Sequence, residues 1–364
     1  MADIKIFNLG DFVLQTGVTL ESAYIAYKTF GDPANQAIVY PTWYSGLISQ
    51  NEWLIGDEMA LSPKEYFIVV PALFGNGQSK SPSNSPELRP FPDVTMFDNV
   101  AAQYRLVTEG LGIKHLRAVL GWSMGAGQTY QWVTQYPDFV DFAIPFCGSA
   151  RCSLHNQVFL EGVKSALLAA KGVVSGGATK GELTPASQYR TWTPEERETG
   201  LKALGRVYAG WGLSQAFYRE KLYETYLGYK DLEDFITKFW ERWALSKNPE
   251  NMITMLYTWQ SADYSKQEPY NGDFGAAMKA IKAKILVLPG KTDLYFPPED
   301  SEFEVRCMAS GTGKCIAFPS IWGHWAGGPG DCKEDVAWLD HKLKIFLQQG
   351  DFDWLDDATL NLAL

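Results

Sequence analysis

Five consecutive residues, Gly121-Trp122-Ser123-Met124-Gly125, set one hydroxyl between two glycines where an apolar run ends and a helix-like segment, stopped at Pro137, begins. That spacing suits a nucleophile on a sharp strand-to-helix turn. Such a turn strains its central residue and crowds the neighbours against the chain, so the flanking positions must lack a Cβ. The hydroxyl is then lifted clear of the fold. A serine hydroxyl attacks only when a base takes its proton, and the chain offers four histidines, His115, His155, His324 and His341. The order nucleophile, acid, histidine excludes His115, and His155 precedes any late acid. His341 falls within the apolar periodicity of the last helix and reads as structural. His324 lies in the Gly-rich loop "SIWGHWAGGPG" just after a strand and is the expected base. The carboxylate that holds its tautomer is expected in "ILVLPGKTDLYFPPED", at Asp293. Glu299 and Asp300 follow Pro297 and Pro298 and read instead as acidic side chains at a helix N-terminus.

The oxyanion formed by serine attack needs two preorganised donors. One is the backbone N–H of Met124, at the start of the helix after the turn. The other is expected from the loop in "AIVYPTWYSG", with Tyr44 the first choice and Trp43 the next.

These residues need a scaffold that brings distant strand ends together. The opening "IKIFNLGDFVLQTGVTLESAYIAYKTFG" reads as an antiparallel hairpin turned near Thr16 and Gly17. Short apolar runs follow at 37–40, 67–70, 118–120 and 142–146, with helical patterns between several of them. Alternation of this kind implies a mostly parallel sheet covered on both faces. Two more strands, "ILVLPG" from Ile285 and "CIAFPS" from Cys315, and a closing helix, "KEDVAWLDHKLKIFLQQG", resume that sheet. Between the halves, long helical patterns and a flexible "KGVVSGGATKGELT" predict an inserted helical cap. The expected organisation is core over 1–150, cap over 151–270 and core again over 271–364. The tail after Gly350, acidic and then apolar, reads as a docked arm or a partner contact.

With 364 residues, 46% hydrophobic and 20% charged, the chain has a globular balance and no apolar run of membrane-spanning length. Its N-terminus lacks the pattern of a secretory signal, so a cytoplasmic location is expected. A net charge of -10 without a Lys/Arg cluster argues against nucleic acid. Five cysteines without a CxxC pair read as reduced, mostly buried thiols, and no metal site is expected.

Beyond the five-residue turn, "IAYKTFGDPANQAIVY", "EYFIVVPALFGNGQSKSPSNSP", "SMGAGQ", "GSARCSLHNQVFLEG", "DLYFPPE" and a late "GH" resemble the homoserine O-acetyltransferase family of the α/β-hydrolase superfamily over most of the chain. The resemblance implies an α/β-hydrolase fold with a helical cap over the active site. It also implies a Ser-His-Asp triad at Ser123, His324 and Asp293, and a homodimer. Three departures count against homoserine. Trp325 stands where the family's aspartate reads the substrate ammonium, "PTWYSG" replaces the usual oxyanion loop, and a cap tyrosine is replaced near Leu213. Arg206 matches the cap arginine that binds the substrate carboxylate. Trp43, Tyr44, Trp53, Trp122, Trp211, Trp322 and Trp325 fall in segments expected at the catalytic edge, and two or three of them are expected to touch substrate. Trp122, Trp211 and Trp325 are the candidates taken as substrate-binding alongside Arg206.

The expected activity is cleavage of an ester, amide or lactone through an acyl-enzyme, on a small-molecule acyl substrate and without a cofactor. The alternative is an O-acyltransferase using acetyl-CoA or another acyl donor. A third reading is a non-catalytic ligand-binding member of the fold.

Overall fold

The computed structural model describes residues 3–172, 190–326 and 328–353. It opens with a hairpin of β1 (Lys5–Val13) and β2 (Thr19–Phe30), which pair antiparallel around a turn closed by Gly17 N–H on Leu14 O. The remaining strands are β3 (Gln36–Val39), β4 (Tyr66–Pro71), β5 (Leu116–Trp122), β6 (Val140–Phe146), β7 (Lys284–Val287) and β8 (Gly313–Cys315). They form one sheet in the order β1-β2-β4-β3-β5-β6-β7-β8. β1 and β4 run antiparallel to β2, and every other pairing is parallel.

Burial separates the two parts of the sheet. All six residues of β4 are buried, and in β5 only Arg117 is partly exposed, because helices cover both faces. In β1, by contrast, Ile6 and Val13 face water. Helices α1 (Met96–Arg105) and α2 (Met124–Gln135) pack side by side beside the centre of the sheet, joined by Gln103 Nε2 donating to Gln128 Oε1 at 2.6 Å.

The strand expected from Cys315 is displaced. β8 ends at Cys315, and the apolar residues after it pair with the next strand less regularly, through Ile316 N–H on Val287 O and Phe318 N–H on Pro289 O. Pro289 has no N–H to return, so the ladder is interrupted there and pairing resumes beyond it only as a single bridge between Gly290 and Phe318.

Between β6 and β7 the described chain is helical: α3 (Leu154–Ala169), α4 (Pro194–Gly212), α5 (Gln215–Arg219), α6 (Leu222–Thr225), α7 (Leu232–Phe235), α8 (Arg242–Leu245), α9 (Pro249–Gln260) and α10 (Phe274–Lys279). Local sequence explains several starts. Thr193 caps α4 by accepting from Glu196 N–H, with Pro194 at the first helical position, and Asn248 caps α9 by accepting from Glu250 and Asn251. After β7 come α11 (Pro298–Cys307) and α12 (Lys333–Gln349). No described helix is long and apolar enough to cross a membrane. Of the stretch read as flexible, 173–184 lies outside the described residues, as does 354–364 of the tail.

Candidate active site

β5 stops at Trp122 and α2 starts at Met124, which leaves Ser123 alone at the corner with φ 59° and ψ -123°. A Cβ on Gly121 would overlap the backbone of Gly125, and one on Gly125 would sit 3.0 Å from Pro41 O. The two glycines are therefore what lets strand, helix and the Pro41 segment meet. Ser123 Oγ lies 2.9 Å from His324 Nε2, and His324 Nδ1 lies 2.8 Å from Asp293 Oδ2, all three buried. Asp293 Oδ1 accepts from the Tyr295 N–H at 2.7 Å and the Phe296 N–H at 3.2 Å. An ionised carboxylate only accepts, so the imidazole proton sits on Nδ1 and Nε2 is free to take the serine proton. The loops carrying acid and base are tied by Thr292 Oγ1, which donates to Ser320 O at 3.0 Å and accepts from Gly323 N–H at 3.1 Å.

The segment from Tyr40 to Gly46 passes over the serine as a chain of fixed carbonyls. Asn51 Nδ2 donates to Tyr40 O and Pro41 O, Gln128 Nε2 to Thr42 O, and Asn76 Nδ2 to Gly46 O, at 2.8 to 3.1 Å. Gly46 N–H closes a turn on Trp43 O at 2.9 Å, with Ser45 at φ 63°. Among the described residues the N–H groups of Trp43 and Tyr44 donate to nothing. The Met124 N–H is likewise an orphan of the first helical turn.

A cavity of about 220 Å³ opens onto Ser123 and His324. Trp43, Tyr44 and Trp122 form its core wall, while the helical insertion supplies Tyr208, Phe239 and Trp243. Trp325, Pro329 and Asp331 close it from the loop after the histidine.

A family model described as the alpha/beta hydrolase fold matches residues 51–306. The chain belongs to the alpha/beta hydrolase family. It is 34% identical to an ethyl acetate hydrolase of Pseudomonas veronii over 312 residues, 84% of each chain. It is also similar to a solved acetylester hydrolase of Corynebacterium glutamicum, with a TM-score of 0.86 and 29% identity over 95% of this chain and 96% of that one. Within the family it resembles homoserine O-acetyltransferases, such as that of Symbiobacterium thermophilum, at 28% identity over 93% of this chain and 92% of that protein.

Several sequence expectations for this hydrolase need correction. Arg206 does not line the cavity. Its Nε donates to Glu241 at 2.6 Å and its Nη2 to Glu233 at 2.5 Å, and these carboxylates hold the guanidinium charge more firmly than usual, Glu233 most. Tyr208, two residues on and some 200° round the same helix, is the α4 side chain that reaches the cavity. Trp211 packs on Phe159 and His155, at 4.8 and 5.1 Å between ring centroids, and does not line the cavity. Trp53 and Trp322 are also outside the lining; Trp322 stacks edge-on to Phe217. Trp43, Tyr44, Trp122 and Trp325 do line it. Leu213 is buried against the backbone of Gly323.

The remaining groups fall where their spacing put them. His115 pairs with Asp141 at 2.7 Å on an exposed face, and His341 is half-buried in α12. Glu299 and Asp300 occupy the first turn of α11. All five cysteines are free thiols, three of them buried. Cys147 lies close to the acid, but burial first and Asp293 second push its thiol well up, and its Sγ donates to Ala326 O at 3.3 Å. That suppresses thiolate and reactivity.

Sequence reasoning missed Tyr208, Phe239, Trp243 and Asp331 in the lining, and the amide side chains that tie the Tyr40–Gly46 carbonyls. Asp331 is the one acidic side chain in the described lining; burial pushes its carboxyl up, and the neighbouring Trp325 indole opposes that shift.

Proposed function

We propose that the protein hydrolyses short, uncharged esters through an acyl-enzyme on Ser123. The observation that carries this is the hydrogen-bonded row Ser123–His324–Asp293 opening onto a small aromatic cavity. His324 Nε2 takes the hydroxyl proton as Oγ attacks the ester carbonyl, and Asp293 stabilises the imidazolium that forms. The oxyanion is received by the free N–H of Met124 with that of Tyr44 or Trp43, donors that need no reorganisation during attack. Collapse expels the alcohol, which takes the proton back from His324. Water, deprotonated by the same nitrogen, then releases the acid and restores the serine.

A cavity of about 220 Å³ is smaller than the roughly 300–1,000 Å³ pockets of drug-sized ligands, so short acyl and alcohol parts are favoured. The similarity to an ethyl acetate hydrolase points the same way. Acyl transfer to an alcohol uses the same first half-reaction and is supported by the resemblance to homoserine O-acetyltransferases. The placement of Arg206 on Glu233 and Glu241 removes the group that would hold a homoserine carboxylate.

The test is turnover of acetate, butyrate and octanoate esters, beside homoserine with acetyl-CoA, by wild type and Ser123→Ala. Hydrolysis is expected to be fastest for the shortest esters, and Ser123→Ala to stay folded while kcat falls on the order of 10⁶-fold. Activity confined to homoserine and acetyl-CoA, or wild-type turnover by Ser123→Ala, would overturn the proposal.

A further inference from the structure

Four carbonyls of the loop over the serine are tied by neutral amide side chains of the core, Asn51, Gln128 and Asn76. The Ser45 carbonyl is tied differently. Lys247, in the connection between α8 and α9, donates from Nζ to Ser45 O at 3.0 Å, which among the described residues is the one hydrogen bond from the helical insertion to this segment and the one from a charged group. Tyr208 and Trp259 of the insertion pack on the Tyr44 ring. Ser45 sits at φ 63°, a conformation that favours glycine and persists in another residue only when its surroundings hold it. The turn it belongs to carries the undonated amides of Trp43 and Tyr44.

Lys247 is itself well anchored. Arg197 Nη2 donates to its carbonyl at 2.9 Å, Asn248 caps α9 immediately after it, and Asn251 Oδ1 accepts from Ser83 N–H at 3.0 Å. Among the described residues no carboxylate forms an ion pair with its ammonium, and burial pulls that group down to about 8. An ammonium withdrawn from water without an anion needs another acceptor, and a charge-assisted bond to a carbonyl is stronger than a neutral one.

We infer that Lys247 is a positioning residue for the oxyanion hole: by holding the Ser45 carbonyl it fixes the turn that aims the Tyr44 and Trp43 amides, so that cap docking and completion of the hole are one event. The inference rests on the proposed role of that loop in ester hydrolysis. A residue of this kind acts on the tetrahedral oxyanion and leaves the planar ester little affected, so its loss falls on kcat.

The test uses the full chain with Lys247→Met, which keeps the apolar stem, and Lys247→Arg, which keeps a charged donor. Kinetics on ethyl acetate are measured beside the affinity of a small alkylboronic acid, which forms a tetrahedral adduct on the serine. Lys247→Met is expected to lower kcat roughly 10- to 100-fold, below the full loss of a donor, with KM within about twofold. Boronate affinity is expected to fall in parallel, and Lys247→Arg to recover most of both. Unchanged kcat and boronate affinity, or a change confined to KM, would overturn the inference. If Lys247→Met does not fold by thermal melting, Lys247→Gln replaces it: kcat ordered wild type, Arg, Gln supports the role, and equal values overturn it. Ser123→Ala runs alongside. If it is inactive while Lys247→Met is unaffected, only the positioning role fails; if it is active, the underlying reading fails.

Discussion

The Trp122 indole lies nearly parallel to the His324 imidazole, with 4.9 Å between centroids and 24° between planes, and its Nε1–H donates to the His324 carbonyl at 3.0 Å. Trp122 thus holds both the ring and the main chain of His324. Trp122→Phe keeps a ring but removes the bond. One net hydrogen bond of about 1 kcal/mol predicts a kcat reduced roughly fivefold. Trp122→Ala also removes the stack and should cost more. Steady-state kinetics on one short ester check both; equal kcat for wild type and Trp122→Phe would show that the bond does not steady the base.

Asp331 should set charge preference. A carboxylate in the lining of a small cavity repels an anionic substrate where solvent screens poorly. Asp331→Asn is expected to raise kcat/KM for monoethyl succinate about tenfold while leaving ethyl acetate within about twofold. The measurement is the ratio of the two specificity constants, and a ratio unmoved by the substitution would contradict the assignment.

Glu304 gives a pH dependence of stability with a defined sign. Its carboxyl is fully buried, accepting from the Tyr130 hydroxyl at 2.7 Å and the Ala150 N–H at 2.6 Å, and burial pushes it up to about 8 from 4.5. The folded state therefore binds the proton more tightly than the unfolded one. This contribution is complete below about 4.5 and is lost as pH rises towards 8. Thermal melts from pH 5 to 9 should show wild type losing stability faster than Glu304→Gln, with the gap between the curves opening across that window. Parallel curves would place the titration elsewhere.

Arg206→Ala should leave kcat and KM within about twofold of wild type, because the guanidinium engages Glu233 and Glu241 and stays out of the cavity. A large rise in KM for an anionic ester would mean that the side chain swings inward during turnover.

The chemistry was easier to read than its supports. Ser123 was legible as a candidate because an elbow demands glycines at fixed offsets, and Asp293 and His324 because each lies in a turn-rich segment after a short apolar run. The supports carry no such pattern. Gln128 reaches Thr42 across 86 positions and Lys247 reaches Ser45 across 202, and any amide or amine of suitable reach can satisfy a carbonyl. Arg206 shows a different limit. Similarity located α4, but which side chain faces inward depends on helix rotation, and that is set by aromatic packing around Tyr208 and Trp240, 6.0 Å apart at their centroids.

The helical insertion leaves the sheet after β6 and returns at β7, and those two strands are neighbours, with Phe142 opposite Lys284 and Ala143 opposite Ile285. Because the two strands run parallel, the insertion leaves at Phe146, the far end of β6, and re-enters at Lys284, level with Phe142. Its splice points are thus fixed by the sheet about 13 Å apart along the strand direction, whatever length of chain is threaded between them. A foreign insert long enough to span that offset could be exchanged there as a cassette, reshaping the cavity while Ser123, on the turn after β5, keeps its place.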